Sequence, residues 1–142
     1  VSVLSQVDAS GPRMTTFTVF GPPATKGSTV SFMGHNGRIV TKTDSTGLPA
    51  WTQAVGWAAR AAGVPLATRN TPVHVRADFM FAKPTSVRRL AMTVRPDIDK
   101  VTRALLDGLT GIAYEDDAQV TQLVVAKRYG DSSCVTVIVM EG

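Results

Sequence analysis

Apolar and polar residues alternate along "VHVRADFMF". Val73, Val75, Ala77, Phe79 and Phe81 share one side; His74, Arg76, Asp78 and Met80 share the other. A period of two is that of a strand with one buried face. "TTFTVF" alternates in the same way and is rich in β-branched and aromatic residues, so it predicts an earlier strand that "GPPATKGS" stops. "TVSFM" and "RIVTK" flank "GHNG", whose Asn36-Gly37 pair signals a hairpin. "VTQLVVAKRY" and "CVTVIVM" predict two final strands joined by the turn "GDSS". The last of these is apolar on both faces, as a central strand or one covered by a partner would be.

Two stretches carry helical periodicity instead. In "AWTQAVGWAARAAG" the residues Trp51, Ala54, Val55, Ala58 and Ala62 recur at three- and four-residue steps, and Gly63 is placed to end the helix. From about Ile98 to Leu109, the residues Ile98, Val101, Leu105 and Leu109 form an apolar stripe opposite Asp99, Lys100, Arg103 and Asp107. The connecting stretch "AKPTSVRRLAMTVRP" holds Lys83, Arg88, Arg89 and Arg95 without a period and predicts a mobile basic loop. "VSVLSQVDASGPR" lacks a clear pattern and predicts a flexible arm over residues 1–14, with one domain over 15–142. The order β-ββ-α-β-α-β-β implies a single α/β domain, with a mixed, largely antiparallel sheet covered by two main helices on one face.

Length and composition narrow the class. A chain of 142 residues is one ordinary domain. Its net charge of +4 makes an anionic partner, above all nucleic acid, plausible without establishing one. A single cysteine, Cys134, rules out an internal disulfide framework and suits a reducing cytoplasm; its apolar run reads as core rather than nucleophile. No apolar stretch approaches the ~20 residues of a membrane helix, and the N-terminus lacks a signal pattern. His35 and His74 stand far apart and make a poor zinc case. "GPPATKGS" lacks the spacing of a nucleotide-binding loop, although Lys26 within it is placed to meet a backbone phosphate.

The acids are distributed unevenly. "RPDIDKVTRALLDGLTGIAYEDDAQV" opens on Asp97 and Asp99 and closes on Asp116 and Asp117. Asp97 falls where an N-cap would accept a backbone N–H, and a carboxylate there suits the helix dipole. That explains Asp97, and Asp99 in part, without any function. It leaves the second acidic pair as a solvated turn or as ligands. Mg²⁺ takes oxygen ligands, keeps several waters and needs only a few carboxylates when a phosphate completes its shell. Asp97 and Asp99 are spaced to face one ion; a returning strand that began near the N-terminus of the helix would bring Asp117 to them. Spacing alone leaves both readings open.

The same segment resembles the signature of the RusA family of Holliday junction resolvases, common in phages and prophages. The matching features are Asp97-x-Asp99 at a helix start, a basic residue four positions on, "LDGL", and Asp116-Asp117-Ala118-Gln119-Val120. The early strand and Pro-rich turn are similar too. The resemblance implies a RusA-like homodimer in the cytoplasm of a bacterial or phage-infected cell. It implies Mg²⁺ as cofactor, with Mn²⁺ substituting, held by Asp97, Asp99 and Asp117. It implies paired nicks in a four-way DNA junction that leave 5′-phosphate ends. The family's catalytic lysine falls on Arg103, which keeps the charge but not the compact ammonium; Lys100 is the other candidate. Asp116 would orient a ligand from behind, Glu115 would be surface, and Lys26, Lys83, Arg88, Arg89 and Arg95 would contact DNA. Trp51 and Trp57 read as core or interface. The rival readings are a non-catalytic architectural dimer on branched DNA and a hydrolase of small phosphoesters.

Overall fold

The computed structural model describes residues 13–26, 29–43 and 47–142, with backbone alone for 29–32 and 40–43. The arm expected over residues 1–14 therefore lies, up to residue 12, outside the described residues. Strands β1 (Met14–Phe20), β4 (Val73–Ala82), β5 (Val120–Gly130) and β6 (Cys134–Glu141) form a four-stranded sheet in the order β1-β6-β4-β5. The β1/β6 and β6/β4 pairs are antiparallel, and β4/β5 is parallel. Strands β2 (Thr29–Met33) and β3 (Ile39–Thr43) make a separate hairpin. Its turn places Gly37 at φ 77°, where glycine carries no Cβ penalty. Helices α1 (Leu48–Ala61) and α2 (Ile98–Leu109) complete the domain.

Alternation sets the layers as expected. Val73, Val75, Ala77, Phe79 and Phe81 of β4 join Val135, Val137 and Val139 of β6 and Phe17 and Val19 of β1 in one core. Trp51, Val55 and Ala59 of α1 and Val101, Ala104, Leu105 and Leu109 of α2 close that core from above. The buried ridge of α1 thus runs 51-55-59; the expected Ala54, Ala58 and Ala62 lie beside it, and Trp57 is 64% exposed. The helices approach closely because both carry glycine at the crossing. A Cβ on Gly108 would stand 3.0 Å from the Val55 side chain and 3.2 Å from the Thr52 carbonyl. The other face of the sheet, with His74, Arg76, Gln122, Val124, Ile138 and Met140, carries no helix among the described residues and holds a shallow depression.

One sequence expectation is corrected, that of a returning strand which starts near the N-terminus of the second helix. β5 and β6 follow each other in the chain but are not neighbours, because β4 lies between them. The "GDSS" turn passes over the end of β4, where the Ala82 N–H donates to Ser133 Oγ and the Lys83 N–H to the Gly130 carbonyl. A parallel β4/β5 pair also requires a crossover, which α2 supplies. Consequently α2 runs against both strands, and β5 starts beside the last turn of α2 rather than beside its first.

Candidate active site

At the start of α2, Asp97 is the N-cap with φ −68° and ψ 141°, but its side chain makes no capping hydrogen bond. This departs from the capping role expected of it. Lys127 of β5 fixes the entering chain instead, through the carbonyls of Val94 and Pro96. The Asp97 carboxylate is about half exposed, and its nearest cation is Lys100 Nζ at 3.8 Å. Asp99 is exposed in the first turn and makes no hydrogen bond or ion pair among the described residues. Arg103 follows one turn later on the same solvent face, exposed and equally uncommitted. Further along, Asp107 forms an ion pair with Lys26, whose backbone N–H donates to the Lys100 carbonyl at 3.2 Å. The Pro-rich turn is thereby docked along α2.

At the far end of the helix the second acidic pair is held by different bonds. Asp116 caps a short 3₁₀ turn (Asp117–Gln119) by accepting the Ala118 N–H at 2.9 Å. Gln119 returns the contact: its Oε1 accepts the N–H groups of Glu115 and Asp116 at 2.9 and 3.0 Å. Its buried amide donates to the carbonyls of Ala67, Thr68 and Thr71. The four-residue motif is therefore a capping box riveted to the 67–71 loop. Of its two acids, Asp116 is occupied structurally, and Asp117 is exposed and has no hydrogen-bond or ion-pair partner among the described residues. Beneath it, burial pushes the Tyr114 phenol well above its ordinary range; the Thr110 hydrogen bond opposes the shift, and the charges of Asp117 and Asp107 add to it. Tyr114 also donates to the Leu106 carbonyl at 2.7 Å.

These contacts fix the spacing of the acids. Asp117 stands near the level of Leu106 and Asp107, whereas Asp97 opens the helix nine residues before Leu106, roughly 13 Å away along the axis. Among the described residues of one chain, no group of three His, Cys, Asp or Glu side chains is close enough to share a metal ion. As donors, Asp97, Asp99 and Asp117 fit a hard cation: they are carboxylates, open to water and free of competing hydrogen bonds. As a three-ligand set within one chain they do not fit.

Two functional candidates escaped the sequence reading. One is Gln119, whose D-x-x-Q spacing is itself a cap signal. The other is Lys127 on β5, which lies opposite the buried Phe79 in register, on the side of the sheet that otherwise takes apolar residues. Its ammonium donates to the carbonyls of Val94 at 2.6 Å and Pro96 at 2.8 Å. The basic loop is also more tethered than its composition predicts. Arg89 donates to the Tyr129 hydroxyl at 2.9 Å, and Arg89 and Lys83 each lie 5.8 Å from the centre of that ring. Arg88 and Arg95 stay exposed and unpaired among the described residues.

Residues 22–140 match the family described as Endodeoxyribonuclease RusA. The match covers most of the sheet and both helices, and the chain belongs to that family of nucleases. A 52-residue stretch is also 36% identical to Uncharacterized protein YqaN of Bacillus subtilis (strain 168). That stretch is 37% of this chain and 37% of the Bacillus protein. No helix is long and apolar enough to cross a membrane among the described residues.

Proposed function

We propose that the chain is a Mg²⁺-dependent endonuclease that resolves four-way DNA junctions as a homodimer. The observation that carries this is the state of three carboxylates in a RusA-family chain. Asp97, Asp99 and Asp117 are all exposed and their carboxylates make no hydrogen bond among the described residues, Asp97 meeting only the Lys100 ammonium at 3.8 Å, while their neighbours Asp116 and Asp107 are held in a cap and a close ion pair. Because one chain keeps Asp117 a helix length from Asp97, the site is completed between two copies: Asp97 and Asp99 from one, Asp117 from the other. A two-fold axis then gives two equivalent sites for two strands of like polarity, as paired nicking requires.

In each site the Mg²⁺, when bound, would supply a hard positive charge against the scissile phosphate and acidify water at neutral pH. The chain's own residues do the rest. Asp97 and Asp99 of one copy and Asp117 of the other would hold the ion. Arg103, unpaired among the described residues and one turn from Asp99, faces the charge that develops on the phosphoryl oxygens and the leaving 3′ oxygen. Lys100 is less available, since Asp97 already draws its ammonium. Arg88 and Arg95 supply sequence-independent contacts to backbone phosphate.

The test is cleavage of an end-labelled four-way junction beside a matched duplex and single strands, in Mg²⁺ and in EDTA. Paired symmetric nicks in the junction alone, lost in EDTA, are expected. Asp97→Asn, Asp99→Asn and Asp117→Asn should each abolish nicking and keep junction binding, because they remove charge that repels phosphate. A wild-type chain that binds junctions but never nicks them would favour the architectural reading.

A further inference from the structure

We propose that Lys127 is a positioning residue for the Asp97–Asp99 half of the site. The inference rests on the reading of those two acids as metal ligands. Lys127 is anomalous where it stands. Leu123, Val125 and Tyr129 share its side of β5, and its partner Phe79 is fully buried. A long cationic side chain at such a position needs polar partners, and it has two: the carbonyls of Val94 and Pro96.

Those carbonyls belong to the last residues before Asp97. One ammonium therefore clamps the loop segment that delivers Asp97 and Asp99 to the start of α2. The clamp replaces what an N-cap side chain would otherwise do. Asp97 occupies the N-cap without capping, so its oxygens are not spent on the helix and meet only the Lys100 ammonium at 3.8 Å. An ammonium has three donors on a compact head, which suits two carbonyls converging from one loop. The arrangement also ties the acids to the edge strand β5, which the 3₁₀ turn carrying Asp117 leads into. Both halves of the carboxylate set are thus referenced to the same strand, from its two ends.

Lys127→Met removes the donors and keeps the stem. Lys127→Gln keeps amide donors without charge, and Lys127→Arg keeps both in another shape. The readouts are Mn²⁺ binding followed by electron paramagnetic resonance in the presence of uncleavable junction, and kcat and KM on cleavable junction. All are taken at a temperature where melting curves show each variant folded. For Lys127→Met we expect Mn²⁺ affinity and kcat each to fall about 10- to 100-fold, as for partners that orient metal ligands, with KM for junction within twofold. Lys127→Arg should recover most of both, and Lys127→Gln should fall between. If Lys127→Met does not fold, the order of Lys127→Arg above Lys127→Gln in Mn²⁺ affinity carries the test. Mn²⁺ affinity and kcat within twofold of wild type in Lys127→Met would overturn the proposal, as would equal values for the Arg and Gln variants. Asp97→Asn is the control: if it leaves Mn²⁺ binding intact, the assignment of the ligands has failed rather than that of the lysine.

Discussion

Replacing Gln119 with leucine should damage fold and site together. Gln119 is 7% exposed and joins two segments about fifty residues apart in the chain. Leucine leaves the Glu115 and Asp116 amides without their acceptor and removes the side-chain donor from the carbonyls of Ala67, Thr68 and Thr71, of which Thr68 keeps the Thr71 N–H. A buried backbone N–H deprived of its partner costs about 1–3 kcal/mol. Glu115 is exposed and its amide rehydrates, which lowers the sum. The added apolar burial of leucine returns about 1 kcal/mol. The net expectation is a loss of about 2–4 kcal/mol, or a fall in Tm of roughly 5–15 °C for a chain of this size. Urea and thermal melts followed by circular dichroism measure it. Below the melting range, cleavage should still fall more than tenfold, because Asp117 sits inside the motif that Gln119 rivets. A Gln119→Leu protein within about 0.5 kcal/mol of wild type, the spread of ordinary surface changes, would refute the reasoning.

Three further outcomes follow from single contacts. Gly108→Ala should destabilise by about 1–2 kcal/mol in urea melts despite alanine's better helix propensity, because the new methyl meets the stiff Val55 and a backbone carbonyl; Gly56→Ala, which meets only the tip of Ile112, should cost less. Equal midpoints for the two variants would contradict this. Tyr114 holds its proton more tightly folded than unfolded. Its contribution is complete below the unfolded value of about 10 and is lost as pH rises above it, so wild type should unfold at alkaline pH more steeply than Tyr114→Phe; identical pH profiles would remove that role. Replacing Arg88 and Arg95 with alanine should reduce the slope of log K for junction against log salt by about 1–2, and an unchanged slope would take both off the DNA.

Strands, helices and the buried faces of both were legible because periods of two and 3.6 report which side of an element is dry. Val73 to Phe81 and Val101 to Leu109 sit as their spacing says. Which strands become neighbours was not legible: β6 reads as central, yet nothing local says that β4 rather than β5 pairs with it. That choice is made by register and burial across the whole sheet. The same gap explains the site. Asp97-x-Asp99 and the Asp116–Gln119 motif mark the acids, but the distance between them depends on the direction of β5, which only the parallel β4/β5 pairing sets. The split between Asp116 as a cap and Asp117 as a free carboxylate came from hydrogen bonds, not from the pair's sequence. Lys127 was hidden among fifteen basic residues, and its inward register is visible only once β5 has a partner.

The most direct measurement is to mix two inactive chains. Asp97→Asn and Asp117→Asn proteins are unfolded together, refolded as a mixture and assayed on a labelled four-way junction in Mg²⁺. If Asp97 and Asp99 of one copy meet Asp117 of the other, each mixed dimer carries one site with both lesions and one site intact. The mixture should then nick one strand of the junction, while either variant alone stays inactive. A mixture as inactive as its components, although mixed dimers form, would contradict a site shared between two chains.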